Sequence, residues 1–101
     1  MASGYVGILS FDLHFPEGAS LKGKRRELLS LKSDLQKRTG AAVAEVDHHE
    51  LWQRARLTLA IVDRRSSTLG ERLDEAERLV VAHAYQAGPF DRSFVTPEDL
   101  A

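Results

Sequence analysis

An α+β fold, an antiparallel sheet with two helices on one face, is what this chain predicts, on three observations. Apolar residues alternate along Tyr5 to Phe15 and again along Leu51 to Val62, the period of strands buried on one side. Leucines recur at helical spacing between Ser20 and Gly40, and a second helical stripe runs from Leu69 to Ala84. No run of 18 apolar residues occurs, so no segment reads as a membrane span.

In the first strand Tyr5, Leu9, Phe11, Leu13 and Phe15 share one side and Ser10, Asp12 and His14 the other. Pro16-Glu17-Gly18 breaks it. Ser20 then stands as N-cap of a helix that closes at Gly40, with Leu21, Leu28, Leu31 and Leu35 in one stripe. Ala42 to Val46 and Leu51 to Val62 form a hairpin through the polar link Asp47-His48-His49-Glu50. Ser66-Ser67-Thr68 opens a second helix, Thr68 and Glu71 have the spacing of a capping box, Leu69, Leu73, Ala76, Val80 and Ala84 give the helix its stripe, and Gly88-Pro89 ends it. Phe90 to Val95 has room for one short, weak strand before an acidic end, about 96–101, that reads as a disordered tail. The order β-α-β-β-α-β, with both helices free to cover one sheet face, is the ferredoxin-like split arrangement in a single domain spanning 1–101.

With 101 residues, 14 Lys plus Arg, 15 Asp plus Glu and no cysteine, the chain reads as one soluble domain without disulfides, thiolate metal sites or a Cys nucleophile. Nothing near Met1 resembles a secretory leader, so a cytoplasmic bacterial-type protein is expected. The net charge of −1 hides an asymmetry. Between Ser20 and Thr39, Lys22, Lys24, Arg25, Arg26, Lys32, Lys37 and Arg38 face only Glu27 and Asp34, a local net of +5 that leaves −6 for the rest. One basic face on an acidic body steers anionic partners.

Lys22, Lys24, Arg25 and Arg26 are candidate anion or RNA contacts. Cations in the first turns oppose the helix dipole, and Lys22 and Arg26 are like charges four apart, so stability alone does not select them. A helix start ringed by such side chains suits a phosphate. Lys24 has a second reading, because its angle borders the leucine stripe: a stem lying on the sheet with its ammonium paired to Glu45. Trp52, Arg54 and Arg56 fall on the open sheet face with Asp12 and His14, the composition of a nucleic-acid platform, although the signature of an RNA-recognition motif is missing. Their alternative is structural, with Trp52 packed under a loop or a partner subunit and the arginines paired to Asp12 and Glu45 across strands.

Val6, Ile8, Ala60 and Val62 share that face and form an apolar patch to be covered by the C-terminal tail or by self-association. The Asp47-His48-His49-Glu50 run reads as a link rather than a metal site, because adjacent side chains point apart. His83 reads as a hydrogen-bonded core histidine. No catalytic motif presents itself, so no catalytic residue, metal or cofactor is expected.

Ser20-Leu21-Lys22-Gly23-Lys24-Arg25, Val43-Ala44-Glu45-Val46 and Leu51-Trp52-Gln53-Arg54-Ala55, at this spacing, resemble the YlxP-like bacterial proteins, a family classed as of unknown function. The resemblance covers about Tyr5 to Ala84 and implies a ferredoxin-like fold. It also implies a ribosome or RNA context, since genes of that family often stand beside those for translation initiation and ribosome maturation. The family pattern has an acidic residue where this chain has Gly23, and a clearer final strand.

The reading that follows is a non-enzymatic accessory protein of the ribosome or of structured RNA, without DNA sequence specificity. The alternative is a homodimer or higher oligomer that uses its sheet face and binds no nucleic acid. An acylphosphatase-like activity would share the fold order, but the glycine-rich, arginine-bearing loop of those enzymes is missing.

Overall fold

The computed structural model describes residues 3–16, 20–48, 50–83 and 86–100. Within them the chain runs β1 (Tyr5–His14), α1 (Leu21–Thr39), β2 (Ala42–Asp47), β3 (Arg54–Asp63), α2 (Ser66–Ala82), β4 (Gln86–Ala87), β5 (Asp91–Val95) and a closing 3₁₀ turn (Pro97–Leu100). β1 and β3 pair antiparallel over their full lengths, from Tyr5 opposite Asp63 to His14 opposite Arg54. β2 pairs with the far edge of β3, and β4 and β5 both pair with the far edge of β1. β1 and β2 are therefore parallel with β3 between them, which is the ferredoxin-like split β-α-β.

The place of the fourth strand is filled by two short pieces. Gly88 N–H still donates to Asp12 O at 2.7 Å. Pro89 has no N–H to offer, so the ladder lapses there and resumes at Asp91. The last strand is thus real but begins one residue later than its sequence suggests.

Both helices pack on one side of the sheet. Leu28, Leu31 and Leu35 of α1 and Leu69, Leu73, Ala76, Leu79 and Val80 of α2 are buried against Leu9, Phe11, Leu13, Ala55, Leu57, Leu59 and Ile61. Gly7 allows α2 to come close, since a Cβ there would stand 2.7 Å from Leu73 Cδ1. Phe90 follows the break and tilts its ring onto Phe11, with centroids 5.3 Å apart.

α1 keeps its expected caps. Ser20 Oγ accepts the Gly23 N–H at 3.0 Å, and Gly40 adopts φ 70, which favours glycine. α2 does not. It begins at Ser66, the first residue of the expected opening run, but with Arg65 rather than Thr68 at its N-cap and no side-chain cap bond. Asp63 displaces the capping box by accepting the Arg65 N–H at 3.0 Å, and that turn leads the chain into the helix at Ser66. Its far end comes sooner, at Ala82, where the His83 N–H bonds back to Val80 O and tightens the last turn. The expected Ala84 lies outside the described residues. Pro97–Leu100, where a disordered tail is expected, forms a 3₁₀ turn in which Asp99 Oδ2 accepts from Thr96 N–H and Glu98 Oε1 from Ser3 N–H, both at 2.8 Å.

Candidate functional site

The end of the molecule where β1 stops, α1 starts and β2 turns into β3 gathers most of the candidate residues. Lys24 sits at its centre. The buried row Leu28, Leu31 and Leu35 continues into the first turn of α1 at Lys24, which is 1% exposed. Its Nζ donates to His48 O at 2.7 Å and to Leu51 O at 2.6 Å, and lies 2.9 Å from Glu45 Oε2. An ammonium has three protons. Two backbone carbonyls accept two of them, and the Glu45 carboxylate stands beside the ammonium as an ion pair, its Oε2 accepting no hydrogen bond among the described residues.

Local sequence explains this arrangement. A bulge between Glu45 and Asp47 shifts the β2–β3 register, and the link then turns at His48, whose φ is 64, with Leu51 N–H donating to His48 O at 3.0 Å. Lys24 therefore bridges the first and last carbonyls of that turn and neutralises the carboxylate that the helix-facing side of β2 brings beneath it. The structural reading of Lys24 describes this geometry, and at 1% exposure its ammonium is shut off from an outside anion. The three segments that carry the sequence resemblance, Ser20 to Arg25, Val43 to Val46 and Leu51 to Ala55, meet at this one side chain.

The other cations of the helix start face outward. Lys22, Arg25 and Arg26 are exposed, the first turn holds no acidic residue, and none of the three forms an ion pair with a described carboxylate. Further along α1, Lys37 and Arg38 are exposed in the last turn. On α2 and β5 the arginines are matched, Arg72 with Asp63, Arg78 with Glu75, and Arg92 with Asp74 and Glu77, while Arg64 and Arg65 between β3 and α2 are exposed and form no ion pair with a described carboxylate.

Arg54 and Arg56 do stand on the open sheet face as expected, but they too have partners. Arg56 NH1 lies 3.3 Å from Asp12 Oδ1 and its NH2 3.6 Å from Asp91 Oδ2, while Arg54 NH2 approaches Asp12 Oδ2 only to 3.9 Å. Glu45, expected as one of their partners, points to the helix side and belongs to Lys24. The buried Nε of Arg54 has no hydrogen-bond partner among the described residues. Trp52 is not on the strand. It is half-buried in the link that precedes β3, where Gln53 O accepts the Phe15 N–H at 2.8 Å.

Two shallow depressions open at this end, one of about 250 Å³ lined by His14, Phe15, Pro16 and Gln86, the other of about 280 Å³ lined by Asp47, His48, Glu50 and Leu51. His49 lies outside the described residues. His83 ends α2 rather than sitting on its stripe and shares a 3.0 Å contact between Nε2 and Asp34 Oδ2 of α1.

Two structural arginines carry no local signal in the sequence. Arg72 gives Nε to Thr39 O at 3.0 Å, a second contact from NH2 to the same carbonyl, and NH1 to Val62 O and Asp63 Oδ2 at 3.0 Å each, tying the end of α1 to the end of β3. Arg92 reaches from β5 to Glu77 and Asp74 of α2 at 2.6 Å each; burial works against its charge, and the two carboxylates together outweigh burial and raise its pKa.

A family model described as a protein of unknown function (DUF503) matches residues 6–87. The chain belongs to that family. The match ends before β5, the segment in which the chain also looked weakest as a sequence. No curated protein matches the chain. Among solved structures it is similar to the YXEP protein of Bacillus subtilis, a dinuclear metal binding peptidase of the M20 family, with a TM-score of 0.57 and 11% identity over 92% of this chain and 26% of that one. The chain thus spans about a quarter of that peptidase. It is also similar to the protein YJCS, TM-score 0.52 at 9% identity over 87% of this chain and 96% of that one. A third is SnoaB, a cofactor-independent oxygenase of Streptomyces nogalater, TM-score 0.50 at 8% identity over 94% and 93% of the two chains. At these identities the likeness speaks for the fold alone. No helix among the described residues is long and apolar enough to cross a membrane.

Proposed function

We propose that the chain is a non-enzymatic, cytoplasmic accessory protein that holds structured RNA, the ribosome's above all, by its phosphates, through Lys22, Arg25 and Arg26 at the start of α1. The observation that carries this reading is the contrast in charge matching. Arginines on the sheet and on α2 have carboxylate partners, while these three exposed cations have none among the described residues and sit where free helix N–H groups already favour an anion. The resemblance to the YlxP-like proteins, whose genes often neighbour those of translation initiation and ribosome maturation, supports RNA as the source of the phosphates. Lys24 shapes the site without touching the ligand. Arg54 and Arg56 sit at the same end but are neutralised by Asp12 and Asp91, so they contribute less.

Phosphate contacts release counterions, and three of them weaken binding on the order of 40-fold between about 50 and 200 mM salt. Fluorescence anisotropy with a labelled ribosomal RNA hairpin should show that slope. Arg25→Glu with Arg26→Glu should abolish binding without loss of fold, because carboxylates in a first helical turn suit the dipole better than the native arginines do. A wild-type protein that binds neither the hairpin nor isolated ribosomal subunits at about 50 mM salt would overturn the reading.

A further inference from the structure

The sheet face turned away from the helices has a self-matching order of side chains. Taken across β3 and β1 and moving along the strands, it presents Val62 beside Val6, Ala60 beside Ile8, Thr58 beside Ser10, Arg56 beside Asp12 and Arg54 beside His14. Val62 is 66% exposed. Val95 flanks Val6 from β5, and Ala42 and Ala44 extend the apolar area across β2. The hydroxyls of Ser10 and Thr58 lie 2.8 Å apart and satisfy each other, leaving an apolar half and a charged half divided by a closed polar row.

We propose that this face is the interface of a homodimer, two sheets stacked about a two-fold axis that runs along the strands between β1 and β3. Such an axis exchanges the two central strands without reversing them. Val62 then covers the partner's Val6, Ala60 covers the partner's Ile8, and Thr58 lies over the partner's Ser10. Arg56 meets the partner's Asp12 and Arg54 lies over the partner's His14, so each half of the face meets its like in polarity and the axis generates two Arg56–Asp12 pairs of opposite charge. An axis across the strands would instead set the valines against Arg54 and His14, burying cations on apolar surface without partners. Stacked sheets lie about 10 Å apart at roughly 30°, close enough to parallel for these rows to stay in register near the axis.

The size of the face agrees. Strands about 4.8 Å apart, β1 and β3 of ten residues and β2, β4 and β5 of six, two and five, give it roughly 500 Å² in projection, of the same order as the ~800 Å² of accessible surface that each partner contributes to a stable complex. Alternating chemistry along the open face of β1 and β3 is also not what solvent alone would select, since Val6, Ile8 and Val62 gain nothing there from water. The helices stay outermost in both protomers, so the arrangement does not depend on the phosphate contacts of α1.

Sedimentation equilibrium at about 10 to 100 µM should give twice the 11.2 kDa of the chain. Val62→Glu should weaken association at least roughly tenfold and leave the thermal unfolding of the protomer unchanged, because that side chain is mostly exposed. The chain has no cysteine of its own, which allows a test of the axis. Val6→Cys protein mixed with Val62→Cys protein should be joined by a bis-maleimide with a spacer of about 10 Å, matched to the sheet separation, and Arg54→Cys mixed with Val62→Cys should not. A monomer at about 100 µM, a dimer indifferent to Val62→Glu, or cross-linking of the Arg54 and Val62 positions instead would each overturn the proposal.

Discussion

The ammonium of Lys24 and the carboxylate of Glu45 face each other at 2.9 Å beneath the first turn of α1, with the side chain of Lys24 fully shielded from solvent. Truncating either partner leaves the other charge in a poorly solvated place and releases the His48 to Leu51 turn. Lys24→Ala should therefore cost about 3 kcal/mol in a urea titration at neutral pH. Arg26→Ala, on the exposed side of the same turn, should fall within about 0.5 kcal/mol of wild type. Lys24→Met, which keeps the stem, should recover only the packing share of the loss. Equal and negligible losses for Lys24→Ala and Arg26→Ala would show that the buried pair does not support the fold.

The same residue shows how far the sequence can be followed. Its angle, on the border of the stripe made by Leu28, Leu31 and Leu35, was enough to anticipate a stem over the sheet and Glu45 as partner, because helical phase and strand alternation are local properties. The two carbonyls it also holds, those of His48 and Leu51, depend on a bulge and a positive φ in the link, and no periodicity encodes those. Arg72 is the opposite case. It stands among charged neighbours on α2 and looks like a solvated side chain, yet it fastens Thr39 of α1 and Asp63 of β3, partners separated from it by 33 and 9 residues. The capping box at Thr68 failed for a related reason: Asp63 offered the chain a competing turn a few residues upstream. Of the candidate site, the exposed cations of α1 were legible from charge alone. The neutralising partners of Arg54 and Arg56 were half legible, since Asp12 lies opposite Arg56 in a simple register, whereas Asp91 depends on where the ladder resumes after Pro89.

Asp63 sets a pH dependence. The Arg65 N–H first, and then the Arg72 guanidinium, hold its carboxyl below the usual carboxylate range. A folded-state pKa below the unfolded one means that the ionised form binds these donors and favours the fold. Its contribution is complete above the unfolded value of about 3.9 and disappears as pH drops from there through the folded value. Glu98, lowered by the Ser3 N–H, loses its part in the same direction. Asp63→Asn isolates the first effect: the variant should be less stable than wild type at pH 7 and at pH 5, and the gap should narrow as the acid limb near pH 3 is reached, read from urea midpoints at each pH. A gap that is constant across this range would mean that the carboxylate's charge plays no part.

Two glycines should respond to the same substitution with opposite signs. At Gly7 the added Cβ would come within 2.7 Å of Leu73 Cδ1 and 3.0 Å of Leu69 Cδ1, and both leucines are fully buried. Their methyl groups can give way only by pushing α2 off the sheet or leaving their rotamers, so Gly7→Ala should destabilise by about 1 to 3 kcal/mol. At Gly70, within α2, nothing lies within 4 Å of the new methyl. There alanine only restricts the unfolded chain and favours the helix, so Gly70→Ala should stabilise by about 0.4 to 1 kcal/mol. Urea titrations of the two variants, with unchanged slopes, provide the comparison. A neutral Gly7→Ala would mean that α2 does not rest on β1 as closely as the 2.7 Å approach requires, and the packing of the two layers at that point would have to be looser than described.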